Sequence, residues 1–138
     1  MLSPSYMSIK AKLTAVAIAT ASTVLSYSVP SQASEYGYFY ESEKMAIKQG
    51  VKYYLDELSV SAKLQSGKKY CEDLEYKSIK DMYSVLEGLA QDAFQEGYSE
   101  GQVNNFMLLE VSIFYASVKE LCPEYKYKFN NFMSEYSE

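Results

Sequence analysis

Hydrophobic positions recur at helical intervals along most of the chain after residue 41. The first such stretch predicts a helix that Ser42 caps and in which Met45 begins the apolar positions. Gly50 is expected to weaken this helix without ending it. The period continues over residues 64–76 after a bend near residues 59–61, and the pattern leaves open whether the region is one long helix or two.

Clear boundary signals predict two further helices. Ser78 followed by Asp81 resembles a capping box, and Gly97 is placed to close that helix in the left-handed conformation. Ser99 and Gln102 form a second capping box at the start of the next helix. A one-sided apolar stripe is expected along that helix, formed by Val103, Phe106, Met107, Ile113, Phe114, Val118 and Leu121.

The last segment predicts a short helix with an aromatic face. Pro123 ends or kinks the preceding helix. The aromatic residues then follow at spacings of four, three and four: Tyr125, Phe129, Phe132 and Tyr136. Phe129 and Phe132 are expected in the core. The whole pattern predicts an all-α fold, a small bundle of four to five helices forming one domain over residues 42–138.

Two segments precede this domain. Residues 34–41 alternate Tyr36, Tyr38 and Tyr40 with no evident partner strand, which predicts a flexible tyrosine-rich leading segment. Residues 1–33 are typical of a secretory signal peptide, with two lysines before a weakly apolar run over 13–29 and small residues before a cleavage point after Ala33. An uncleaved membrane anchor is the alternative. The signal predicts a secreted or periplasmic protein without a stable membrane span after cleavage.

The composition excludes several kinds of chemistry. The chain has no His, Arg or Trp, and its 13 basic residues, all lysines, face 18 acidic ones for a net charge of −5. This acidic balance argues against binding nucleic acid or anionic lipid. A serine nucleophile would lack the usual imidazole base. We therefore expect no enzyme, catalytic residue, metal or cofactor, with a carboxylate-based enzyme as the alternative.

The two cysteines, Cys71 and Cys122, predict a disulfide bond. They lie 51 residues apart in a chain that meets an oxidising compartment if it is exported. A redox pair is the alternative, but such pairs usually form a Cys-x-x-Cys motif with a lowered thiol pKa. A structural bridge is favoured.

Glu110 interrupts its apolar stripe. One interpretation is a buried carboxylate with a raised pKa that senses pH or lines a binding cavity. The other, which we favour, is a structural Glu that pairs with a lysine or tyrosine hydroxyl or reaches solvent. The sequence alone does not decide between them.

The tyrosines are the second unusual feature, since the chain has 15 of them. Tyrosine suits recognition surfaces because it offers a large contact area and loses little side-chain conformational entropy on binding. Partner-surface candidates are Tyr36, Tyr38, Tyr40, Tyr125 and Tyr136. We expect a binding or structural module for a protein or small-molecule partner that the sequence does not identify.

Around the cysteines, the sequence resembles a family of small exported helical domains known as domain of unknown function 732. Gly67-Lys68-Lys69-Tyr70-Cys71 with Leu74 is similar to the family's Gly-x-x-x-Cys-x-x-Leu helix. Ser99-Glu100-Gly101-Gln102 is similar to the start of its last long helix, and Leu121-Cys122-Pro123 to its closing segment. The resemblance covers roughly residues 64–125 and implies a disulfide-pinned helical fold without a known activity.

A second resemblance is to periplasmic acid-stress chaperones of the HdeA and HdeB type. It rests on the signal peptide, the separation of the cysteines and the sequence Cys71-Glu72-Asp73. It implies an acid-activated holdase, in which protonated carboxylates loosen the bundle and expose aromatic faces. This is the alternative to a binding module.

Overall fold

A computed structural model describes residues 34–136, so the predicted signal peptide at 1–33 lies outside the described residues. The described part is helical and contains no strand, which confirms the all-α class. Its elements are α1 (Glu35–Gln49), α2 (Lys52–Asp56), α3 (Val60–Leu74), α4 (Ile79–Gln95), α5 (Glu100–Ala116), a π-turn (Ser117–Leu121), a 3₁₀ turn (Pro123–Tyr125) and α6 (Lys126–Tyr136). Over residues 34–136, every helix is too short or too polar to cross a membrane.

Helix α1 begins at Glu35 rather than near Ser42, which corrects the prediction. Ser34 caps it: the Ser34 hydroxyl accepts a hydrogen bond from the Gly37 N–H at 2.9 Å. The Ser34 N–H also donates to the Glu120 carbonyl at 2.6 Å, which holds this end against the π-turn. The expected flexible leading segment is therefore the start of a helix. The alternating tyrosines are typical of an extended chain, so the sequence pattern did not indicate this start of the helix.

The region before Cys71 divides into three helices. Gly50 ends α1 in the left-handed conformation at φ 74°, so the expectation that the helix continues through it is wrong. Ser59 caps α3 by accepting from the Ala62 N–H at 3.0 Å, at the place where a bend was predicted. This division brings the described α-helices to six.

The predicted starts of α4 and α5 and the predicted end of α4 are confirmed, whereas α5 ends at Ala116 and its predicted stripe continues to Leu121 in the π-turn. Both capping boxes form, between Ser78 and Asp81 and between Ser99 and Gln102. Gly97 follows α4 with φ 98°, as its left-handed role requires. These signals are local, which is why the sequence shows them directly.

Helix α5 lies at the centre of the molecule. Every residue over 111–118 is buried, so this stretch has no solvent face. Two apolar clusters meet on it. One holds residues of α3, α4 and α6, and the other holds residues of α1 and α2. The predicted one-sided stripe therefore describes only part of the buried surface of α5.

The π-turn at the end of α5 carries a buried ion pair that the pattern did not indicate. Lys119 Nζ lies 2.8 Å from Glu41 Oε1 on α1, and both side chains are largely buried. The Tyr115 hydroxyl is also buried, without a hydrogen-bond partner among the described residues. The ion pair and the Ser34–Glu120 hydrogen bond join α1 to this turn.

The predicted disulfide is confirmed. Cys71 near the end of α3 and Cys122 after the π-turn have Cα atoms 5.8 Å apart and sulfur atoms at bonding distance, 2.11 Å. The bridge ties α3 to the end of the central helix, beside the larger apolar cluster.

Candidate functional site

A cleft of about 220 Å³ opens between α3, α4 and α5. Helix α3 contributes Lys69, Tyr70 and Asp73 to it, α4 contributes Val85 and Leu89, and α5 contributes Phe106 and Glu110. The volume is below that of a typical pocket for a drug-sized molecule and above that of a cavity that holds benzene. The cleft therefore suits a ring-sized group.

The outer wall of the cleft is apolar. Val85, Leu89 and Phe106 are 49%, 46% and 43% exposed, although all three project from amphipathic helices toward the same opening. Phe106 belongs to the apolar stripe that the sequence predicts for α5, and Leu89 is an apolar residue of α4. Both lie at the edge of the core, beside the opening of the cleft.

Glu110 and Tyr70 form the polar part of the cleft. The Tyr70 hydroxyl donates a hydrogen bond to Glu110 Oε2 from the facing helix. The Tyr70 ring stacks on Phe114, with centroids 4.8 Å apart and planes 9° from parallel. Stacking fixes the ring, so the hydroxyl is held in place before any ligand arrives. Among the described residues, none donates a hydrogen bond to Glu110 Oε1.

Burial dominates the electrostatics of this pair. Desolvation raises the pKa of Glu110, and the hydrogen bond from Tyr70 opposes this with a smaller effect. The pKa of Tyr70 is also raised, first by burial and then by the charge of Glu110. Tyr70 therefore remains a protonated donor, and an ionised Glu110 is a partly desolvated anion next to an apolar wall.

Three charged residues line the cleft in addition to Glu110. Lys69 Nζ pairs with Asp73 Oδ1 at 3.0 Å, one helical turn apart on α3. Lys77, just after α3, lies on the same lining. Since Lys69 already pairs with Asp73, its charge does not compensate Glu110 directly. Within residues 34–136, no cluster of three or more His, Cys, Asp or Glu residues is placed to hold a metal ion.

The predicted partner-surface tyrosines differ in exposure. Tyr36 and Tyr40 are 82% and 58% exposed on α1, but Tyr38 between them is fully buried and donates to the Lys63 carbonyl at 2.5 Å. The assignment of Tyr38 to a partner surface is therefore wrong. Tyr125 is half-buried, with Lys128 Nζ 5.2 Å from its ring centroid. The side chain of Tyr136 lies outside the described residues.

The sequence singled out Glu110 and predicted that a lysine or a tyrosine hydroxyl pairs with it, but it did not identify Tyr70. Tyr70 lies 40 positions earlier in the chain, and no local pattern connects the two. Lys69 and Asp73 have the spacing of an ordinary helical ion pair. Only the packing of α3 across α5 brings these α3 residues close to Glu110. The hydrophobic periodicity of a sequence does not reveal how its helices pack.

Comparison with known proteins identifies no relative. The chain matches no family model, no curated protein and no solved structure. The two family resemblances therefore stay predictions.

Proposed function

We propose that this protein is an exported binding module that acts through the cleft between α3, α4 and α5. The observation that carries the proposal is the joint presence of an exposed apolar wall and a fixed polar pair, Tyr70 and Glu110, in one opening. Binding sites commonly combine apolar lining with a few oriented polar groups. The apolar wall supplies affinity, and the polar pair orients the ligand.

The disulfide supports this function by holding one wall. Cys71 directly follows Tyr70 in α3, and its bond to Cys122 fixes that end of α3 against the central helix. A wall fixed before binding needs no ordering when the ligand enters, which favours affinity. Export would supply the oxidising conditions in which the bond persists.

The binding proposal is tested with toluene, a ring-sized apolar probe, by ligand-observed NMR at increasing probe concentration. Saturable binding to the native protein is expected. Val85→Trp fills the cleft and should weaken binding at least fivefold. Val60→Trp is the matched control, because Val60 is an exposed valine on α3 outside the cleft, and it should leave binding unchanged.

Two results would contradict the proposal. One is the absence of saturable binding by the native protein. The other is an equal loss of toluene affinity in the two tryptophan variants, because the probe would then bind elsewhere or without specificity. Circular dichroism shows that each variant is folded.

A further inference from the structure

The cleft presents one carboxylate whose charge no neighbouring lysine neutralises. Among the described residues, no lysine Nζ lies within 4.0 Å of Glu110, and Lys69 is paired with Asp73 instead. Within residues 34–136, the one hydrogen-bond partner of the Glu110 carboxylate is the Tyr70 hydroxyl, a neutral donor, which bonds one of its two oxygens. An ionised carboxylate in apolar surroundings is costly unless it is paired.

We infer that the cleft binds a primary amine carried on a ring-sized apolar body, with the ammonium group against the carboxylate of Glu110. The inference rests on the proposed function, because it names the class of ligand for the same cleft. The ammonium would neutralise Glu110 and donate to Oε1, while Tyr70 continues to donate to Oε2.

The aromatic lining supports this choice of ligand. Phe106 and Tyr70 both line the cleft that contains Glu110. The faces of aromatic rings attract ammonium groups, and this attraction strengthens when the cation is partly desolvated. A neutral alcohol would gain only the hydrogen bond. An anion beside Glu110 would be repelled, since neither lysine of the lining, Lys69 or Lys77, has its Nζ within 4.0 Å of that carboxylate.

The size of the cleft limits the apolar body. About 220 Å³ accommodates a single ring with a short side chain. The apolar wall of Val85, Leu89 and Phe106 lies at the opening, where it would cover the ring. Benzylamine has the required shape and charge and is therefore the probe.

The test compares three probes of one shape: benzylamine, benzyl alcohol and benzoate. Isothermal titration of the native protein at neutral pH should show benzylamine binding at least tenfold more tightly than benzyl alcohol, with benzoate weaker than both. Glu110→Gln keeps the size and the hydrogen bond to Tyr70 but removes the charge. It should reduce benzylamine affinity at least tenfold and change benzyl alcohol affinity less than twofold.

A control variant separates this charge effect from structural effects. Glu100→Gln removes an exposed carboxylate from the same helix outside the cleft, and it should leave the preference for the amine intact.

The failures of the two proposals are distinguishable. If benzyl alcohol and benzylamine bind the native protein equally and Val85→Trp weakens both, the cleft binds ligands but the amine inference is wrong. The inference is also wrong if folded Glu110→Gln loses both probes alike, because Glu110 then only shapes the cleft. If no probe binds, the proposed function itself fails.

Discussion

Gly67 lies where α3 packs against Tyr38 of α1 and Leu121 of the π-turn. A Cβ atom at this position would lie 2.7 Å from Tyr38 Cζ and 2.8 Å from Leu121 Cδ1. Tyr38 is fully buried and its hydroxyl is bonded to Lys63, so the ring has no room to move. This glycine is needed for the close approach of two helices.

We therefore expect Gly67→Ala to lower the free energy of unfolding by about 1–3 kcal/mol through overpacking. Gly88→Ala is the matched control, because Gly88 is an exposed helical glycine with nothing within 4 Å of its Cβ position. The control should raise stability by about 0.5–1 kcal/mol, since alanine favours the helix. Urea unfolding of both variants measures the difference, and equal effects would contradict the packing argument.

The raised pKa of Glu110 makes stability depend on pH. Because burial raises this pKa, the folded protein retains the proton to a higher pH than the unfolded chain does. The contribution of this group to stability is complete below the ordinary pKa of glutamate. It is lost as the pH rises through the raised pKa.

Glu110→Gln does not titrate, so the variant should gain stability relative to the native protein as the pH rises from about 4 to about 7. Urea midpoints of both proteins across this range provide the measurement. Tyr70 and Tyr38 have raised pKa values and stay protonated throughout, and Lys69, Asp73 and Lys77 are common to both proteins. If the difference between the two midpoints stays constant over this pH range, burial does not raise the pKa of Glu110.

At the scale of the element, the π-turn Ser117–Leu121 helps to hold α1 through an ion pair. Lys119 Nζ and Glu41 Oε1 are 2.8 Å apart and largely excluded from water. Removing one partner leaves the other charge buried without compensation, which costs much more than the net contribution of the pair.

We expect Lys119→Met to destabilise the protein by about 3 kcal/mol. The double variant with Glu41→Gln should recover part of this loss, because no uncompensated charge remains. Lys52→Met breaks an exposed pair with Asp56 and should shift the unfolding midpoint much less. Thermal unfolding of the four proteins gives the comparison, and similar losses for Lys119 and Lys52 would contradict burial as the cause.

The elements that the sequence predicts well are those with local signals. Ser78, Ser99 and Gly97 mark helix ends through their own backbone contacts, and the structure confirms all three. The start of α1 is different, because Ser34 caps it in a tyrosine-rich stretch and its N–H is held by Glu120, far along the chain. The central position of α5 and the hydrogen bond between Tyr70 and Glu110 also depend on contacts between residues far apart in the sequence. The sequence pattern therefore did not indicate them.

At the scale of the whole molecule, the disulfide contributes a large part of the stability expected for a domain of this size. A loop that joins residues 51 apart is worth about 4 kcal/mol in the chain-entropy model. The double variant Cys71→Ala with Cys122→Ala should lose about that much in urea unfolding. A loss below about 1 kcal/mol would show that the apolar clusters are sufficient without the bond.

The acid-activated holdase remains a prediction, and Glu110 opposes it. Lowering the pH removes a buried negative charge at this residue, which stabilises the folded state instead of loosening it. For acid to loosen the fold, protonation of the other carboxylates would have to lower the free energy of unfolding by more than protonation of Glu110 raises it. The measurement is suppression of client aggregation: a holdase suppresses it at low pH only, whereas a binding module shows no such switch.

The position of the disulfide also determines what happens if the chain is cut. The bond between Cys71 and Cys122 closes a covalent ring that contains all of α4 and α5, together with the exposed connection around Tyr98. A protease that cleaves this connection would leave the two fragments joined. The nicked protein would therefore migrate as one species in denaturing gel electrophoresis until a reductant is added. The helices on both sides of the cleft would stay covalently linked.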